Sequence, residues 1–308
     1  MDLQVIILQM IQLFLVIALG YGLLKIKILD VEFNKRLTSL LLSVTTPALI
    51  VSSVLSTTLE KDISKIAFVF IVGVIIFIVL PILGFIIVKI IKVPTHQQGL
   101  YIFLTMFSNI GFMGFPVMKS IFGNEAVFLT AIFNMLFNLL VFTVGIVFMN
   151  YHSTEKIKMN ARQLLSPGVI SSLIALLIYL TEIQVPDVIA STITMVGDIT
   201  TPIAMMLIGS TLATIPLKEV FNEIRVYPFT ILKQIIIPII AYPVLSFFIQ
   251  DPLILGVSLI MIAMPVGNIA VLFATEYQKD VALAAKTVFM TTLLSIITIP
   301  VIVALFLI

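Results

Sequence analysis

The sequence predicts an all-α polytopic membrane protein. Ten transmembrane helices form two inverted five-helix repeats, with helices 4 and 9 broken where they cross. Three observations predict it. The 308 residues are 61% hydrophobic and only 10% charged, where a soluble domain carries about a quarter charged residues. The apolar residues gather into ten segments, each close to the roughly 20 residues that span a bilayer. Motifs in the first half of the chain return in the second. This composition excludes a soluble enzyme, a nucleic-acid binder and a disordered chain.

The segments cover residues 3–24, 34–57, 66–91, 97–122, 124–149, 165–183, 187–213, 226–249, 252–277 and 281–308. Each is continuously apolar, so a helix is the natural form, because lipid leaves no partner for an unpaired backbone group. The alternating ten-residue strands of a membrane β-barrel are absent. The first segment lacks a basic leader and a small-residue cleavage site, and so reads as a retained span.

Lys and Arg in the short loops set the orientation. With the N-terminus outside, the inner side holds Lys25, Lys27, Lys35, Arg36, Lys89, Lys92, Lys156, Lys158, Arg162, Lys218, Arg225, Lys279 and Lys286. The outer side holds only Lys61, Lys65 and Lys119. Both termini are therefore expected outside. Residues 1–150 form the first repeat, 151–164 a polar cytoplasmic linker and 165–308 the second repeat.

The repeat rests on two matches. Span two reads SVTTPALIVSS (43–53) and span seven reads DITTPIAMMLI (198–208), so Pro47 and Pro202 correspond. Span four contains SNIGFMGFPV (108–117) and span nine GNIAVLFATE (267–276), so Asn109 and Asn268 correspond. Five spans is an odd number, so the second half inserts upside down, the arrangement of secondary transporters.

Proline removes a backbone hydrogen bond and strains the preceding turn, so Pro47, Pro116, Pro202 and Pro265 are the expected helix breaks. Asn109 stands about 18 Å along its helix from Gln97, and Asn268 about 15 Å from Gln278, at 1.5 Å per residue. Both interruptions therefore fall near the bilayer middle. The half-helix N-termini there offer free N–H groups and a positive dipole end, which suit an anion. Unwound carbonyls there suit a cation equally well.

Asn109 and Asn268 are the leading substrate-binding candidates, since a mid-membrane amide must find partners. Ser108, Gly111 and Gly267 shape the crossing. Thr45, Thr46, Thr200 and Thr201 either line a cavity or bond back to their own helices beside the kinks. Four residues are candidates for ion coupling. Asp198 matches Ser43 in the repeat and is either an intramembrane acid or an interface residue. Lys233 lies about 12 Å beyond Arg225 at helical rise, and either faces a substrate carboxylate or an acid, or snorkels to the interface. Asn134 and Asn138 share one helix face, which meets either the crossing or a neighbouring helix. Glu276 and Tyr277 close span nine at the inner face.

No metal centre is expected. The chain has no Cys, and its two His residues, His96 and His152, are far apart in sequence. It has no P-loop and no His-Glu-x-x-His run, so neither ATP-driven transport nor metalloprotease chemistry is expected.

Segments FSNIGFMGFPVMKSIFG (107–123) and MPVGNIAVLFATEY (264–277) resemble the fourth and ninth helices of the auxin efflux carrier family. The resemblance extends over the whole ten-span layout. It implies the fold shared with bile-acid sodium symporters. Helices 1, 2, 6 and 7 would form a scaffold, often dimeric, and helices 3–5 and 8–10 a mobile transport unit. It also implies small organic anions as substrates, such as indole acetate, malate or malonate, moved across the cytoplasmic membrane by elevator-type alternating access. No cofactor is implied; H+ or Na+ is the candidate coupling ion. Plant-type carriers have Pro where this chain has Ser108 and Ala270, Gln at Val266, and an aliphatic residue at Asn268. They also carry a long central loop. These differences favour the prokaryotic dicarboxylate-type relatives over auxin. A sodium-coupled bile-acid-like symporter of the same fold is the alternative, and a channel or membrane sensor the distant one.

Overall fold

A computed structural model describes residues 3–55, 62–151, 165–214 and 222–307. Among them the secondary structure is helical, with no strand. The helices are α1 (Leu3–Lys25), α2 (Val31–Leu55), α3 (Ile63–Ile90), α4 (Thr95–Met106), α5 (Ile110–Phe122), α6 (Asn124–Val141) and α7 (Val144–Met149). After them come α8 (Pro167–Thr181), α9 (Asp187–Thr214), α10 (Val226–Phe248), α11 (Pro252–Ala263), α12 (Ile269–Glu276) and α13 (Val281–Phe306). Six of these, α2, α3, α6, α9, α10 and α13, are each long and apolar enough to cross a membrane. Exposed Ile, Leu, Val and Phe side chains such as Ile71, Ile75, Ile78, Ile82 and Phe247 cover their outer faces, as lipid contact requires. Most of the linker (152–164), with Lys156, Lys158 and Arg162, lies outside the described residues, as do Lys61 and Lys218. Lys65, Lys119 and Lys286, counted with the loops in the sequence, are residues of α3, α5 and α13.

Contacts divide the chain into two compact units. The first comprises Met1–Ile71, Ile110–Asn138 and Leu165–Thr214. In it α1 packs along the second half of α9. Gly20 faces the Met206 backbone and Gly209 that of Ile17, so closely that a β-carbon at either would strike it. Small residues permit such close backbone approach in membrane helices. Asn34 and Ser210 tie α2 to α9, with Asn34 Nδ2 donating to Ser210 Oγ at 2.7 Å and Ser210 Oγ to Asn34 Oδ1 at 3.0 Å. The second unit comprises Val72–Asn109, Leu139–Leu164 and Ile215–Ile308. In it α10, α11 and α13 pack together, α4 lies against α7, and α12 touches α4, α7 and α13.

Proline acts in two ways. Pro47 does not break its helix. The turn Leu41–Thr45 widens to a π-turn, and Thr46, just before the proline, donates to Leu41 five residues back. Leu232–Ile236 behaves likewise before Pro238, with Ile237 donating to Leu232. A third π-turn, Ile110–Gly114, precedes Pro116, which stands in the first turn of the regular helix that follows. Widening by one residue relieves the clash between the proline ring and the carbonyl a turn earlier. Pro202 also lies within a continuing helix, after a single irregular residue, Ile199. Of the four expected break prolines, only Pro265 stands in non-helical backbone.

Candidate functional site

The fourth and ninth apolar segments are each interrupted, and within the second unit the two interruptions pair. α4 ends at Met106, and Phe107 is extended, with φ −103° and ψ 91°. α11 ends at Ala263, and Met264 turns to φ −56°, ψ 144°. Ser108 and Val266 then face each other in an antiparallel bridge. Asn109 N–H donates to Pro265 O at 2.8 Å, and Gly267 N–H to Phe107 O at 3.0 Å. The sequence dictates this locally. Pro265 cannot donate and stays out of the helix, so its carbonyl is open to Asn109. Gly267 permits the approach, because a β-carbon there would lie 3.1 Å from the Ser108 carbonyl oxygen.

Diverting the Asn109 N–H leaves the Thr105 carbonyl without its helical donor, since residue i+4 normally supplies it. Lys233 takes that place. Its ammonium donates to Thr105 O at 3.1 Å and to Ser108 Oγ at 3.0 Å. The side chain is 1% exposed and rises from the π-turn before Pro238. No acidic group lies within ion-pair distance of it among the described residues. Beside it, Gln234 Nε2 donates to Thr291 O at 2.8 Å. Thr291 Oγ1 in turn accepts from Val266 N–H at 3.1 Å and donates to Thr287 O at 2.8 Å. The two interruptions are thus held by different groups: a lysine of α10 on one side, a threonine of α13 on the other.

Aromatic rings cluster beside this site. Phe103 lies 4.6 Å from Phe107 and 5.1 Å from Phe273, centroid to centroid, and Phe142 lies 5.6 Å from Phe273. A turn at Phe142–Thr143 separates α6 from α7 where the sequence reads one continuous span.

Of the predicted site residues, the second unit brings together Ser108, Asn109, Pro265, Gly267, Asn268 and Lys233. Ser108 and Asn109 are each 3% exposed. Asn268 is the N-cap of α12 and makes no side-chain capping bond. Gly111, Pro116, Thr45, Thr46, Pro47, Thr200, Thr201, Pro202, Asp198, Asn134 and Asn138 belong to the first unit. There Thr45, Thr46 and Thr200 are buried, and their hydroxyls have no hydrogen-bond partner among the described residues. Asn134 and Asn138 face Gly168 at the start of α8, with Asn138 Nδ2 also donating to Asn134 O at 2.7 Å. Asp198 pairs with Lys119 at 2.6 Å, and its side chain is 57% exposed. Sequence reasoning missed Thr105, Gln234 and Thr291. Only the adjacency of Gln234 to a lysine in an otherwise apolar span hinted at them.

A family profile described as "membrane transport protein" matches residues 5–303. The chain belongs to this family. The family match agrees with the resemblance carried by the fourth and ninth segments. The transporter is 26% identical over 219 residues to an uncharacterized transporter of Methanocaldococcus jannaschii, covering 68% of this chain and 69% of that one. It is 27% identical over 194 residues to an uncharacterized transporter of Methanothermobacter thermautotrophicus, covering 62% and 63% of the two chains.

Proposed function

We propose that the chain is a secondary transporter of small organic anions, mono- or dicarboxylates, working by elevator-type alternating access in the cytoplasmic membrane. Its ten spans form two inverted repeats, both termini lie outside, and the working form is a homodimer. The observation that carries the reading is the paired interruption at Ser108 and Val266, with a buried lysine amine and, among the described residues, no neighbouring carboxylate. Such a site favours negative charge twice over. Lys233, when protonated, supplies a positive charge within an apolar surround, where electrostatics are strong. α12 begins directly after the pairing and presents its positive dipole end there. The amides of Asn109 and Asn268 are the polar groups placed to fix the orientation of a bound carboxylate. The hydroxyls of Thr45, Thr46, Thr200 and Thr201 belong to the unit we read as the scaffold.

Uptake of a labelled dicarboxylate into proteoliposomes tests the reading. Asn109→Ala should abolish saturable uptake while leaving the purified protein monodisperse and its melting temperature within a few degrees of wild type. Transport by this variant at the wild-type rate would remove Asn109 from the site. A linear, non-saturating flux without counterflow would favour a channel instead.

A further inference from the structure

We propose that the Lys233 ammonium is a built-in monovalent cation for the interruption at 107–109. The transport cycle then requires no bound Na+, and a small cation takes the same place once the side chain is cut away. The proposal deepens the transport reading at the question of coupling and rests on it there.

The ligands around the ammonium are those of an alkali-ion site. One is a backbone carbonyl, Thr105 O, and the other a hydroxyl oxygen, Ser108 Oγ, at 3.1 and 3.0 Å. Carbonyls freed at the C-terminal ends of half-helices coordinate such cations in secondary transporters. Thr105 lies in the last turn of α4, which ends at Met106, so its carbonyl sits at the negative end of the helix dipole. A buried cation with no carboxylate partner is costly, and this one is 1% exposed. The oxygens and the dipole offset that cost only if a positive charge stays in place. A tethered ammonium meets the requirement without an ion from solution. Lys233 is also held from behind. Its π-turn is fixed by Pro238, and the adjacent Gln234 is anchored on Thr291 O.

The test compares melting temperatures of purified wild type, Lys233→Ala and Lys233→Met in N-methylglucamine chloride and in chlorides of Li+, Na+ and K+ at equal ionic strength. No organic anion is present, so a wrong substrate assignment leaves this measurement intact. Wild type should melt at the same temperature in all four salts. Lys233→Ala should melt lower in N-methylglucamine and recover with at least one alkali ion in a saturable way, as ligand linkage requires. Lys233→Met, whose chain fills the space without charge, should show no recovery. Lys233→Ser opens the same space and replaces the alanine variant should that fail to purify. An alkali-ion shift in wild type, or none in the alanine and serine variants, overturns the proposal. In proteoliposomes, wild-type uptake should be equal with and without Na+, and Lys233→Ala uptake should fall by about tenfold or more without the rescuing ion. Lys233→Met transporting at the wild-type rate would equally overturn it.

Discussion

The two interrupted segments pair with each other, yet they are held by different chemistry. At 107–109 the freed carbonyl of Thr105 meets the Lys233 amine. At 264–267 the freed N–H of Val266 meets a neutral hydroxyl, Thr291 Oγ1. The repeat offset is 155 residues at Pro47 and Pro202, and 159 at Asn109 and Asn268. In the proposed repeat the counterpart of Lys233 would fall at Val74, Ile75, Ile76, Phe77 or Ile78, all apolar. Phe77 stacks instead on Phe107, with centroids 6.5 Å apart. The paired interruptions thus form a polarised site.

The largest effect is expected where both segments share one contact. Gly267→Ala puts a β-carbon 3.1 Å from the Ser108 carbonyl oxygen, and backbone rather than a flexible side chain must give way. Both bridge hydrogen bonds should weaken together. With two buried backbone pairs disturbed at about 1–3 kcal/mol each, the variant should melt well below wild type and transport nothing. A variant with wild-type stability would show that the pairing does not hold the interruptions. Next come two variants that weigh the segments against each other. Ser108→Ala removes one of two acceptors from a buried ammonium, a charged hydrogen bond of about 1.5–3 kcal/mol. Thr291→Val leaves the Val266 N–H unsatisfied at about 1–3 kcal/mol, while the Gln234 bond to the Thr291 carbonyl survives. Chemical denaturation in detergent should rank Ser108→Ala as the more damaging, and the reverse order would refute the charge asymmetry.

Much of the fold was legible because lipid imposes length and apolarity. The sequence boundaries 187–213 and 226–249 meet helices Asp187–Thr214 and Val226–Phe248. The irregular backbone at Pro265 and Gly267 was legible too, since both residues resist a helix for local reasons. The partner of Lys233 was not. It lies 128 positions away, and a lysine about 12 Å into a span has a stem long enough to reach either the interface or the interior. Which it does depends on the rotation of α10, set by packing. The π-turns were hidden for a related reason. A proline announces a lost bond, but whether the helix kinks or widens is decided by its neighbours. Asn134 and Asn138 share a face as expected, but that face lies against Gly168.

The smallest effect is expected at a more exposed lysine, Lys119. Lys119 and Asp198 approach to 2.6 Å, but their side chains are 29% and 57% exposed. A pair this open contributes less than about 1 kcal/mol after solvent screening. In a double-mutant cycle of Lys119→Met and Asp198→Asn, the coupling energy should be small and should shrink further in 1 M salt, where the Debye length falls to about 3 Å. The contrast with Lys233 is the point of the measurement. Stability lost in Lys233→Met should be insensitive to bulk salt, because no ion screens a charge sealed against Thr105 and Ser108. Equal salt sensitivity at the two lysines would mean that water reaches Lys233, and the polarised site would reduce to an ordinary hydrated cation.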